Sequence, residues 1–439
     1  MSRDLKILAE WESLSNGSEE ERACFAAIGV QAHGIWLTEG SDALTNRLRQ
    51  KPLLSGYHLA EWLAWNWWRL RWEPGSQRDG WGMSHRLSSI GGGYIWPDIT
   101  IFSDGQRTAL VARATPEREG TPFRYIVDQP VIVSSTEFEA ATDEFMEQVL
   151  ARLEDCAIAG SNLEKIWNDV CNERQDPYLA QRRKLEALLG FDPEEADTDV
   201  LNQLISDAGE LGFSAVEELA ANYRQQAENG NLLSAQKLRE IAVESGFKSS
   251  ISEMVTLRAP ICASDRMLRP AWQVGSGLAK ALREQERLGA DRLTDNKLTE
   301  MLAVDHRALE RNASFCNAAT SFALAGKSGD RVVLRSKWRE GRRFALARIL
   351  GDHLFYPEGV LYSATESYTY RQKVQRSFAA ELLSPFAAVV DQLNGDYSQE
   401  NQEEVAREFE VSPMTIETQL VNHHIVERDG LAFDSLQAA

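Results

Sequence analysis

A chain of 439 residues is too long for one hydrophobic core and long enough for two or three domains. Its 66 acidic and 47 basic residues leave a formal charge of -19, which repels nucleic-acid phosphates and anionic lipid, so proteins or small molecules are the expected partners. The five scattered cysteines, Cys24, Cys156, Cys171, Cys262 and Cys316, form no CxxC pair, which argues against a disulfide framework or a zinc ribbon.

The opening residues, MSRDLKILAEWESLSNGSEEER, are broken by charges and lack the apolar core of a signal peptide. No run approaches the roughly 18 apolar residues of a membrane span. A cytoplasmic protein without membrane contact is expected. Nine of the twelve tryptophans precede residue 97, and HLAEWLAWNWWRLRWEP (58–74) carries five of them. Apolar residues on nearly every face predict a helix buried on more than one side, with core packing favoured over an aromatic cage.

Gly91–Gly93 predict a turn or a close backbone approach, and they lack the strand-before, helix-after setting of a nucleotide fingerprint. Strands are expected at 98–102, 108–114 and 123–135, followed by an acidic helix capped at Ser135 or Thr136 and running to about Glu154. Residues 1–155 thus form a Trp-rich α+β module. Helix and strands in this order resemble PD-(D/E)XK nucleases, and Pro97-Asp98 fits the first motif. Val111-Ala112-Arg113 on the next strand supplies no second carboxylate and no lysine, so an altered nuclease-like effector around Asp98 is only an alternative.

Residues 156–265 read as a helical connector, with apolar residues at three- and four-residue spacing and no arrangement for catalysis. From residue 266 to 439 the expected elements are two amphipathic helices, two short strands around the GKSGD turn (321–335), a helix from about Arg342 to Phe355, and a long helix over 368–393 interrupted near Pro385. GKSGD lacks the spacing of a phosphate loop. The chain as a whole is expected to be α+β and mostly helical.

Three ordered blocks, RRFALARILGDHL, RSFAAELLSP and AREFEVSPMTIETQL, resemble the ImmA/IrrE family of metallopeptidase-like proteins over about 269–428. The matching residues are Arg343, Phe344, Leu346, Ala347, Gly351 and Leu354 in the first block. Phe378, Ala379, Ala380, Leu382, Leu383 and Pro385 match in the second, and Phe409, Val411 and Ser412 in the third. The resemblance implies a zincin-like helical domain with a small β-hairpin and a helix-turn-helix-like end. It also implies an HExxH zinc site, in which two histidines four apart share a helix face and the glutamate activates water.

That motif is degenerate here. The first His position holds Arg348, the Glu position Ile349, the second His position Asp352, and the third ligand would fall near Val374. Arginine cannot bind a metal and isoleucine cannot take a proton. Neither a metal nor a cofactor is expected. Arg348 and Asp352, at i and i+4, are expected to form an ion pair in the former metal cleft. Arg371, Lys373 and Arg376 on the helix opposite, with His353, would make that cleft a site for an anion or an acidic peptide. A relocated metal site of Asp352, His353 and Glu381 is the alternative.

Between Val411 and Asn422 there is no lysine or arginine, so direct DNA binding through that helix is disfavoured and packing on the core is expected. The resemblance implies a pseudopeptidase that binds a protein partner: a repressor, a sensor or an effector subunit. The setting it implies is bacterial stress response, mobile-element regulation or phage defence.

Overall fold

The structure, a computed structural model, describes residues 4–76, 78–117, 120–223, 233–258, 269–310, 316, 318–326 and 329–426. Cys262, the last residues of the predicted connector, and Lys327 and Ser328 of the GKSGD turn lie outside the described residues. The fold is α+β and mostly helical. No helix among the described residues is long and apolar enough to cross a membrane. The chain divides into two compact units, 1–196 and 197–439, each with its own core.

That division falls within the predicted connector. Helices Asn162–Gln175 and Pro177–Leu189 set Leu163, Trp167, Val170 and Ala187 into the first core. Helices Thr198–Leu211, Phe213–Tyr223 and Ala235–Ser245 belong to the second unit.

In the first unit, strand Leu5–Trp11 pairs antiparallel with Phe25–Ala32 over its full length, from Leu5 opposite Ala32 to Trp11 opposite Ala26. The tryptophan-rich segment folds as two helices, Gly56–Trp65 and Trp67–Trp72, broken at Asn66. The Asn66 side chain donates to the Trp62 carbonyl at 2.8 Å, ending the first helix by competing for its last turn. Leu59, Leu63, Trp67 and Trp68 enter the core, with the last two rings edge to face at 4.7 Å. Gly91, Gly92 and Gly93 all have left-handed φ, as a turn requires.

Strands Asp98–Ser103, Arg107–Arg113 and Gln129–Ser134 form one antiparallel sheet with 107–113 in the centre. The predicted strand 123–135 is in fact two. Phe123–Tyr125 pairs with Gly40–Asp42 in another sheet, while Pro130 sits on the edge strand of the first, where it blocks no ladder bond. Ser134, one residue before the predicted candidates, caps the helix Ser135–Asp155 in a reciprocal pairing with Glu137.

In the second unit the predicted hairpin, Ser321–Leu324 and Asp330–Val333, widens to four antiparallel strands. Phe247–Ser249 adds beside 330–333 and Leu361–Ala364 beside 321–324. Helix Tyr370–Leu383 packs between Ala271–Gln285 and Arg339–Phe355. Two glycines allow this: a Cβ on Gly275 would lie 2.3 Å from the Val374 carbonyl oxygen, and one on Gly351 2.6 Å from the Phe378 ring. Helix Phe386–Leu393 begins after Pro385, and Gln399–Phe409 and Pro413–Asn422 close the unit around a left-handed Glu410. Ile416 and Leu420 of the last helix are fully buried in the same core.

Candidate functional site: a closed ion-pair cluster beside an open cavity

Helix Arg339–Phe355 is buried along most of its length, which explains its many apolar faces. Leu346, Ile349 and Leu350 lie in the core, and so does Val374 from the facing helix. Arg343 is buried with them, paired to Asp295 and donating to the Leu293 carbonyl at 2.7 Å. Two of the four degenerate-motif positions, 349 and 374, are therefore plain core.

Asp352 and Arg348 are polar and buried, but they do not pair with one another. Asp352 takes a bidentate pair from Arg371, Nε to Oδ1 at 2.7 Å and Nη2 to Oδ2 at 2.7 Å. Arg348 instead donates through Nη2 to the Thr365 carbonyl at 2.6 Å and to Gln372 Oε1 at 2.5 Å. The predicted i, i+4 pair is corrected for a geometric reason: a guanidinium arriving from the opposite helix meets both carboxylate oxygens in plane, as an arginine four residues along the same helix does not. Burial and the neighbouring Arg376 charge push the Arg348 guanidinium down to about 9. Burial alone would lower the Arg371 pKa as well, yet Asp352 raises it.

One further helix closes the cluster. Phe213–Tyr223 sends Ser214, Glu218 and Asn222, spaced i, i+4 and i+8, onto the 365–371 segment. Arg371 donates to the Ser214 carbonyl at 3.1 Å and to its hydroxyl at 2.8 Å. Thr369 Oγ1 donates to the Glu218 carboxylate at 2.8 Å, and the Glu366 amide to Asn222 Oδ1 at 3.0 Å. Burial, opposed by Arg371, raises the Glu218 carboxyl. The sequence predicted this helix but not its part in the site; the only available signal was the polar stripe 214–218–222.

His353 is buried but stands apart, edge-on to Tyr362 at 5.3 Å, with no hydrogen-bond partner on either ring nitrogen. Burial lowers its pKa, so the ring is neutral at pH 7. Among the described residues no three His, Cys, Asp or Glu side chains are grouped to hold a metal, so Asp352, His353 and Glu381 form no relocated site. Zinc does not fit the positions of the resembled motif either. Asp352 is the only ligand type among them, and Arg371 engages both its oxygens. Asp98 opens its strand opposite Arg113, and among the described residues it belongs to no group of three or more His, Cys, Asp or Glu that could hold a metal.

No family model, curated protein or solved structure matches this chain.

Lys373 and Arg376 are not enclosed with the Asp352–Arg371 pair. They line a cavity of about 690 Å³ bounded by helices 271–285, 339–355, 370–383 and 413–422. Arg376 Nη2 donates to the Ser367 carbonyl at 2.8 Å and the Thr365 carbonyl at 3.3 Å, while its Nη1 is buried without a partner. The predicted single cleft is thus two places: a sealed cluster holding Arg348, Asp352 and Arg371, and an open cavity edged by Lys373 and Arg376.

Proposed function

We propose that the protein is a non-catalytic, ImmA/IrrE-like pseudopeptidase that acts by binding a protein partner, a repressor, sensor or effector subunit, in bacterial stress response, mobile-element regulation or phage defence. One observation carries the reading: the bidentate Asp352–Arg371 pair stands where the second zinc ligand of the resembled motif would be. Arg348 and Ile349, at the first two motif positions, cannot ligate a metal or activate water, and Arg371 already places a positive charge against Asp352, which opposes a cation there. The helix carrying Ser214, Glu218 and Asn222 packs on the 366–371 segment and helps to bury the Asp352–Arg371 pair.

What remains for such a domain is recognition, in a cytoplasmic setting and without a cofactor. The tryptophan-rich unit offers a second surface, where Trp65 and Met83 are exposed. The test joins elemental analysis of the purified protein to a cleavage assay on co-encoded regulators. The expected result is less than about 0.1 zinc per chain and co-purification of an intact regulator. One zinc per chain, with cleavage lost on chelation, would overturn the reading.

A further inference from the structure

The cavity above Lys373 and Arg376 has the size and chemistry of a ligand site. Its volume of about 690 Å³ lies within the range of small-molecule pockets. Its walls are fixed from several sides. Gln419 Nε2 donates to the Ser384 carbonyl at 3.0 Å, which ties helix 413–422 to the core. His423 stacks on Phe386 at 3.5 Å and meets Trp272 edge-on at 5.0 Å. Burial, with Lys280 nearby, lowers the His423 pKa, so this ring is an aromatic surface and not a cation at neutral pH. Trp272, Phe344, Tyr368 and His423 together give the cavity an aromatic lining.

One end is electrically unfinished. Arg348 and Arg376 both donate to the Thr365 carbonyl, while Asp352 is committed to Arg371. The buried Arg376 Nη1 has no partner, and a buried unpaired donor on a cation is costly unless something completes it. Glu340, Glu381 and Glu417 share the lining, which penalises a ligand carrying a second negative charge. Burial raises the Glu381 carboxyl, further weakening its claim on the cations.

We propose that this cavity binds a small aromatic monocarboxylate, its carboxylate held by Arg376 and Lys373 and its ring among Trp272, Phe344, Tyr368 and His423. The inference does not rest on the pseudopeptidase reading, because no degenerate-motif residue lines the cavity. Finding zinc would therefore leave it intact.

Isothermal titration of the full chain with 1-naphthoate, 1-naphthol and 1-naphthyl phosphate tests it. The expected result is one saturable site for 1-naphthoate, with 1-naphthol at least about tenfold weaker. Arg376→Met weakens 1-naphthoate at least about tenfold. Asn422→Trp, which fills the cavity without touching the cations, abolishes binding even if Arg376→Met fails to fold. Lys237→Met, on an exposed helix face, changes nothing. Equal binding of 1-naphthol, binding unchanged in Asn422→Trp, or no saturation up to about 1 mM overturns the proposal. Tighter binding of 1-naphthyl phosphate overturns the carboxylate assignment.

Discussion

Asp352 and Arg371 lie on neighbouring helices and meet through two parallel hydrogen bonds of 2.7 Å, with the carboxylate wholly buried. Each charge is tolerable in the interior only because the other is there. Asp352→Ala strands the Arg371 guanidinium and is expected to cost about 3–5 kcal/mol of stability. Pairing it with Arg371→Met removes both charges and should recover most of that loss. Urea unfolding of the two single variants and the double gives the coupling. If the double variant is as unstable as the sum of the singles, the pair is not an energetic unit.

The thermal midpoint should ignore chelators. With no metal-holding group among the described residues, excess EDTA is expected to shift it by less than about 1 °C. A midpoint that falls with EDTA and returns with zinc would show a structural metal and remove the reading of the site as metal-free.

Glu218 has a defined pH signature. Burial, opposed by Arg371, raises its folded-state pKa above the usual value of 4.5. Below that value both states hold the proton and the group is neutral to stability. As pH climbs above it, the unfolded chain ionises more readily, so the folded state loses ground. Glu218→Gln cannot ionise, so its stability relative to the parent should increase as pH rises from about 4.5 toward 7. A relative stability that falls over the same range would mean that Arg371 dominates and the shift has the other sign.

His353 has the opposite signature. Its folded-state pKa lies below the usual 6.5, chiefly from burial, so the unfolded chain takes up a proton first as pH falls below that value. The parent therefore loses stability on acidification through this group. His353→Phe keeps a ring against Tyr362 and removes the proton uptake, and it should hold its stability better at pH 5.5 than the parent. Identical acid profiles for the two proteins would refute the assignment of a neutral, unpartnered ring.

The apolar frame of RRFALARILGDHL was legible in the sequence because burial on several faces leaves a periodic record: Leu346, Ile349 and Leu350 are in the core as their spacing demands. The partner of Asp352 was not legible. Spacing along one helix shows which residues share a face, but Arg371 approaches from another element, and only the packed structure shows that its fork faces both oxygens. The closing helix was hidden for the same reason. Ser214, Glu218 and Asn222 look like a solvated stripe until the 365–371 segment is laid against them. Strand Leu5–Trp11 was legible but not predicted: Leu5, Ile7, Ala9 and Trp11 alternate with Lys6, Leu8 and Glu10, the two-residue period of a half-buried strand.

The two close helix approaches in the second unit offer a final test, because their obstacles differ. A methyl on Gly351 would lie 2.6 Å from the Phe378 ring and 3.1 Å from its Cβ, so this fully buried side chain must shift, although no backbone atom is met. A methyl on Gly275 would lie 2.3 Å from the Val374 carbonyl oxygen and 2.8 Å from the Phe378 amide nitrogen, so helix 271–285 must move away from helix 370–383. Overpacking a core costs roughly 1–3 kcal/mol where side chains can adjust, and more where backbone must separate. Gly351→Ala should fall within that range and Gly275→Ala beyond it. Urea midpoints in the reverse order would show that the Phe378 ring, and not the helix backbone, is the rigid element of this packing.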